Sequence, residues 1–216
     1  MLKHMIIPVT AFAQNCSVIW CDETKRGAVI DPGGDIERIE QFVQQNQLII
    51  EKVLLTHAHI DHAGGTAQLS KNLNVPIEGP HQGDKFWIDS LDQQAQMFGF
   101  EQCEIFEPNR WLNHDDTVTV GNESLDVLHC PGHTPGHVVF YSKSANLAWV
   151  GDVLFAGSVG RTDFPQGNHQ TLVESICNNL WPLGNDVEFI CGHGPNSTFG
   201  QERASNPLVG DRVTGL

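Results

Sequence analysis

Three imidazoles and one carboxylate fall within six residues in the stretch Thr56-His57-Ala58-His59-Ile60-Asp61-His62. Neutral imidazole and carboxylate are ligands of divalent transition metals, and histidine suits zinc and iron. The apolar run Val53-Leu54-Leu55 precedes them. A β-strand that stops there would hand all four groups to one loop at a sheet edge. A solvated polar loop seldom collects three histidines, so this spacing points to a metal centre.

Three later strand ends carry a further donor each. Leu125–Cys130 runs into Pro131-Gly132-His133-Thr134-Pro135-Gly136-His137, Leu147–Val150 into Gly151-Asp152, and Val187–Cys191 into Gly192-His193-Gly194. Glycine beside each donor permits a sharp turn, so the side chain can project from the sheet edge. The candidates are then His57, His59, Asp61, His62, His133, Asp152 and His193. One zinc takes four ligands, or five with water or substrate, so seven donors call for two ions. Only a carboxylate has two oxygens with which to bridge two cations, and Asp152 stands alone between the histidine motifs. Paired ions would share a water and generate hydroxide at neutral pH. Two dications, two carboxylates and one hydroxide leave a net positive charge, which suits a developing oxyanion.

The elements that must position these donors follow from patterning. Residues 3–9, 16–21 and 27–31 read as successive strands, with Asp31 a turn former at the head of Asp31-Pro32-Gly33-Gly34. Asp35 suits a helix N-cap, with Ile36, Ile39, Phe42 and Val43 on one helical face. A strand at Lys52–Leu55, a helix at Thr66–Asn72 and an edge strand at Val75-Pro76-Ile77 follow. Residues 81–99 read as a helix and loop covering the mouth of the site. The second half repeats the rhythm, with strands at 117–120, 123–129, 137–142 and 146–151, a helix at 169–180, a strand at 187–191 and a short helix from Ser197 or Thr198. Two similar halves imply an α/β fold of two mixed sheets packed face to face with helices outside.

At 216 residues the chain fits one domain with a substantial core. Its net charge of −14 repels phosphate backbones, and its 12 Lys and Arg are scattered, so nucleic acid is not expected as a partner. No run is long enough to cross a bilayer and no secretory signal opens the chain, so no membrane partner and a cytoplasmic location are expected. The 6 cysteines form no C-x-x-C pair and read as reduced, structural thiols.

Thr56–His62 fits the pattern T-H-x-H-x-D-H, and Pro131–His133, Gly151-Asp152 and Gly192–Gly194 follow in order. In these motifs the chain resembles the metallo-β-lactamase superfamily, and within it the glyoxalase-II-like hydroxyacylglutathione hydrolases. The resemblance implies a four-layer αββα sandwich. It implies that His57, His59 and His133 hold one metal, that Asp61, His62 and His193 hold a second, and that Asp152 bridges them. Catalysis would fall to Asp61 and Asp152 with a metal-bridging hydroxide. The ions would be divalent, zinc first, with iron or manganese as alternatives. About twenty residues follow His193, so the C-terminal helical domain that grips glutathione in larger relatives is not expected. The Ser158–Pro165 loop resembles that of the single-domain bacterial subgroup. The implied substrate is a small thioester of the S-D-lactoylglutathione class, turned over by a monomer or weak dimer. Two other chemistries share the scaffold. One is a persulfide dioxygenase with one iron on His57, His133 and Asp152, and the other is lactone or β-lactam hydrolysis.

Some residues keep two readings. Arg161 could anchor a substrate carboxylate or pair with Asp163. His137 exceeds the ligand count and suits a hydrogen-bonding role beside the metals. His4, His81, His114, His129 and His169 lack motif context, and Trp87, Trp111, Trp149 and Trp181 read as core or covering aromatics.

Overall fold

The structure is a computed structural model and describes residues 1–101 and 103–215. Strands β1 (Leu2–Val9), β2 (Gln14–Cys21) and β3 (Arg26–Ile30) form an antiparallel meander. Helix α1 (Ile36–Gln45) crosses back and lays β4 (Ile49–Leu54) parallel to β3. Short α2 (Ile60–Ala63) and α3 (Thr66–Leu73) lead to the two-residue edge strand β5 (Ile77–Glu78), parallel to β4. Helices α4 (Lys85–Ile88) and α5 (Leu91–Phe98) complete the first half.

The second half opens with the antiparallel run β6 (Thr117–Val120), β7 (Glu123–His129), β8 (Val138–Ser142) and β9 (Leu147–Gly151). A small hairpin, β10 (Leu154–Phe155) with β11 (Ser158–Val159), precedes α6 (His169–Ser175). Strand β12 (Glu188–Cys191) then lies parallel to β9, β13 (Ser197–Thr198) closes that edge, and α7 (Phe199–Ser205) and α8 (Asp211–Thr214) follow. The sheets therefore have the orders β1-β2-β3-β4-β5 and β13-β12-β9-β8-β7-β6, both mixed as expected.

Three apolar clusters correspond to three interfaces between four layers. Ile19, Ile30 and Leu54 of the first sheet meet Val127, Phe140, Trp149 and Ile190 of the second. Val29, Val53 and Leu55 turn the other way, onto Ile36, Ile39, Leu69, Ile88 and Leu91 of the helices. Val139, Tyr141 and Val150 face Leu172, Ile176, Leu180 and Phe199. Strands with both faces covered need apolar residues at every position, which explains the unbroken runs at β8 and β9. The layers are helix, sheet, sheet, helix, as the resemblance implied.

Strand direction decides where the donors go. β8 is antiparallel to both neighbours, so β7 and β9 run the same way, and β12 runs with β9. The C-terminal ends of β7, β9 and β12 thus emerge at one edge of the second sheet, as those of β3 and β4 do on the first.

Local expectations shift in three places. Asp35 precedes α1 in a left-handed conformation and makes no side-chain cap. Its carboxylate instead accepts the Thr10 N–H at 2.7 Å, a donor supplied by the β1–β2 turn. The helix expected over 169–180 ends as α6 at Ser175, widens into a π turn over Ile176–Leu180, and tightens to a 3-10 turn at Trp181–Leu183 that includes Pro182. Proline supplies no N–H, so a regular helix cannot run on through this point. Asp61 and His62, expected in a loop, lie within the short helix α2. Among the described residues no helix is long and apolar enough to cross a membrane, and all 6 cysteines are free.

Phe140 is fully buried between the sheets. Phe140→Ala is expected to cost about 3–5 kcal/mol of stability, the usual cost of a large core truncation. Urea unfolding checks this, and a loss below about 1 kcal/mol would contradict the inter-sheet core.

Candidate metal centre

His57 and His59 lie two residues apart just before α2, where His59 has extended backbone, and their ring centroids are 4.9 Å apart. The start of α2 changes the period, which turns Asp61 and His62 away toward a second point. His57, His59 and His133 bring ligand atoms within 4.8 Å of one another, and so do Asp61, His62 and His193. His133 Nε2 is 3.0 Å from His59 Nδ1, and His193 Nε2 is 3.0 Å from Asp61 Oδ2. Asp152 faces both groups. Its Oδ1 lies 3.3 Å from His62 Nε2, while its Oδ2 lies 3.6 Å from His133 Nε2 and 3.8 Å from His193 Nε2. Gly192 makes room for it, because a Cβ there would collide with Asp152 Oδ1. All seven residues expected from sequence are thus brought together.

The outer ring nitrogens of four histidines have hydrogen-bond partners that fix their orientation. His62 Nδ1 donates to Asp31 Oδ2 at 2.9 Å, and His133 Nδ1 donates to the Arg161 carbonyl at 2.7 Å. His193 Nδ1 donates to the Phe12 carbonyl at 3.1 Å. His57 Nδ1 lies 3.1 Å from Thr56 Oγ1, whose hydroxyl donates to Asp31. Such partners fix the imidazole tautomer and are the usual supports of metal-bound histidine. His57 Nε2, His62 Nε2 and Asp152 Oδ1 are buried without any hydrogen-bond partner. Buried polar atoms are normally paired, and unpartnered buried ligand atoms in both groups are what bound divalent cations would satisfy. The donor set fits the implied metals.

Electrostatics separate the two groups. Burial pushes the His57, His59 and His133 pKa values down, and neighbouring imidazoles add to the effect at each; His59 falls to about 3. Burial also opposes charge on His62, but Asp152 and Asp61 overcome it and hold its pKa well above the usual value. At His193 burial is likewise outweighed, by the Asp61 hydrogen bond and by Asp152. Burial alone would raise the Asp61 and Asp152 carboxyls, yet the surrounding histidines hold both below the usual carboxylate range.

Other expectations resolve at this site. His137 is fully buried, and its Nε2 accepts the Asp152 N–H at 3.1 Å while its ring stacks on His57. It supports the centre and joins neither ligand group. Asp31, expected only as a turn former, does have a left-handed φ of 52°, yet its buried carboxylate also takes hydrogen bonds from Thr56 and His62. Trp87, expected as cover, packs edge-on to His59 at 4.7 Å. Arg161 pairs with Asp163 through two hydrogen bonds of 2.7 and 2.6 Å and lies 4.2 Å over the Phe164 ring. Sequence reasoning missed Gln14, Asp84 and Gln94, buried polar residues that touch the motif loops. Each stands beside other polar residues, in Gln14-Asn15, Gln82-Gly83-Asp84-Lys85 and Asp92-Gln93-Gln94, so no local signal marks it.

Both ligand groups open into a cavity of about 770 Å³. Its walls are largely aromatic, including Phe12, Phe86, Trp87, Phe98, Phe155 and Phe164, and Arg161 is the one Lys or Arg among the lining residues. The segment 81–99, expected at the mouth, supplies much of this wall through α4 and α5.

A four-layer sandwich with histidine and aspartate ligands at one sheet edge defines a class, and comparison with known proteins confirms it. The chain belongs to the metallo-β-lactamase superfamily, whose family model matches residues 9–193. It is 47% identical over 208 residues to a Haemophilus influenzae protein named hydroxyacylglutathione hydrolase GloC, covering 96% of this chain and 98% of that one. The B3 metallo-β-lactamase BLEG-1 superposes with a TM-score of 0.88 at 33% identity, covering 97% of this chain and 99% of that chain. TTHA1623, solved in a di-iron-bound form, superposes with a TM-score of 0.86 at 33% identity, covering 94% and 98%.

A metal ion competes with protons for imidazole lone pairs. The surroundings of His57, His59 and His133 favour the neutral ring, whereas the carboxylates beside His62 and His193 favour the protonated one. As pH falls through neutrality, zinc is therefore expected to leave the Asp61–His62–His193 group first. Equilibrium dialysis with metal analysis at stepped pH checks this, and parallel loss from both groups would contradict it.

Proposed function

We propose that this chain is a dinuclear metal-dependent thioester hydrolase of the glyoxalase II type, with zinc as its resident ion. Its substrate in this reading is S-D-lactoylglutathione, which it converts with water to D-lactate and glutathione in the cytoplasm. The observation that carries the reading is the pair of ligand groups sharing Asp152 at one end of a single cavity. The 47% identity to a protein named hydroxyacylglutathione hydrolase supports the substrate class. Convergence of Asp61, His62 and His193 as a second group favours this chemistry over a mononuclear-iron persulfide dioxygenase, which needs only His57, His133 and Asp152.

His57, His59 and His133 would hold one ion and Asp61, His62 and His193 the other, with Asp152 between them. When bound, such ions polarise an acyl oxygen and make water nucleophilic at neutral pH. The chain's own residues supply the rest. Asp61 and Asp152 are held ionised by the histidines around them, so their oxygens can accept hydrogen bonds from an attacking water and orient it. Aromatic walls keep bulk solvent off the acyl group, which strengthens every charge interaction within. The departing thiolate has a conjugate acid of low pKa and needs no proton donor.

Alanine at Asp152 is expected to abolish both zinc retention and hydrolysis of S-D-lactoylglutathione, read by metal analysis and by loss of thioester absorbance. Full turnover in that variant would sink the mechanism.

In the same reading Arg161 receives a substrate carboxylate, which must displace Asp163. Both partners are more than half exposed, and such a pair is worth about 0–1 kcal/mol. Asp163→Asn is therefore expected to lower KM up to about fivefold with kcat unchanged. Steady-state kinetics decide the point alongside Arg161→Ala, and a KM unchanged in both variants removes Arg161 from substrate binding.

A further inference from the structure

Asp84 is a fully buried carboxylate that takes part in no ion pair among the described residues. It belongs to none of the ligand groups. A lone carboxylate is costly to bury unless hydrogen bonds replace its water, and here three donors do so. Oδ2 accepts the Ala58 N–H at 3.0 Å and the Thr134 hydroxyl at 2.9 Å. Oδ1 accepts the Gly136 N–H at 2.6 Å.

The identity of those donors gives the contact its meaning. Ala58 stands between His57 and His59, and Thr134 follows His133. The first loop leaves β4 of one sheet and the second leaves β7 of the other. One backbone hydrogen bond, from the Val138 N–H to the Thr56 carbonyl at 2.8 Å, joins the two loops at their bases, and the gap beyond it is closed by a side chain. Asp84 spans that gap with one carboxylate. Its own segment is laid along the second loop, because His81 N–H donates to the Gly136 carbonyl and Asp84 N–H donates back to the His81 carbonyl. A Cβ on Gly136 would collide with the Asp84 backbone, so glycine is what lets the segments touch. Gln94 steadies the first loop from its far side, accepting the Ile60 N–H and donating to the Ala58 carbonyl.

We propose that Asp84 is a positioning residue that sets the spacing of His57, His59 and His133, and through it the affinity of that triad for a metal ion. The proposal rests on the reading of these histidines as a metal site. Asparagine at this position keeps the shape but turns an amide N–H toward a donor, so one of the three hydrogen bonds is lost and its donor opposed.

The test isolates the triad on a His193→Ala background, which removes a ligand of the other group. Metal-free protein is titrated with zinc against a chromophoric chelator. Asp84→Asn on that background is expected to weaken zinc binding about 10–100-fold, and Thr134→Val, which deletes one donor and leaves the carboxylate in place, severalfold. Cobalt bound in place of zinc is expected to shift its visible absorption bands in both variants. The core change Val120→Ala, which lowers stability away from the site, is expected to leave the bands in place. Unchanged zinc affinity and unchanged cobalt bands in either variant overturn the role of Asp84. A His193→Ala protein that binds no zinc overturns the metal reading itself, and the proposal with it.

Discussion

One buried imidazole sets the terms for the centre. His62 is inaccessible to solvent and lies 2.9 Å from Asp31, 3.3 Å from Asp152 and 3.7 Å from Asp61. Three carboxylates around one ring repel one another, and only a positive charge between them makes the arrangement tolerable. The protonated ring supplies that charge in the metal-free chain, and a cation is the chemical alternative. Each carboxylate comes from a different place in the fold: the end of β3, the first turn of α2 and the loop after β9. Neutralising them therefore joins both sheets at the edge where their strands end.

The sandwich explains how so much polarity can be held at one edge. Its apolar clusters occupy the interfaces and stop where the strands stop. Donors on strand ends inherit the rigidity of the ladders behind them, while backbone carbonyls of Phe12 and Arg161 fix two of the rings from loops that also wall the cavity. Pocket and ligand geometry are thus coupled by covalent neighbours: Phe12 and Arg161 hold ligands with their backbones and face the cavity with their side chains.

Much of this was legible in the sequence because its causes are local. The Thr56–His62 run, the glycine-flanked His133, Asp152 and His193, and the strands apolar on both faces all carry their reason within a few residues. What was not legible depends on distant partners. Asp31 meets Thr56 and His62 at separations of 25 and 31 residues, so its short-range setting showed only a turn. Asp35 has the composition of a helix cap, yet a backbone N–H 25 residues earlier claims its carboxylate. Asp84 sat unremarked in a covering segment because its donors come from two other loops. Arg161 held two readings from sequence, and its pairing with Asp163 two residues on was one of them.

The ligand residues are not equally enclosed. His62 is sealed from solvent while the His193 side chain is 30% exposed, at a rim where Phe12 and Phe98 also reach solvent. The consequence is one of timing. An ion that shares His193 has a short path to water and exchanges on that path, whereas one among the more deeply buried His57, His59 and His133 reaches solvent only through the aromatic cavity. The outer position would follow the metal supply of its surroundings while the inner one lagged behind.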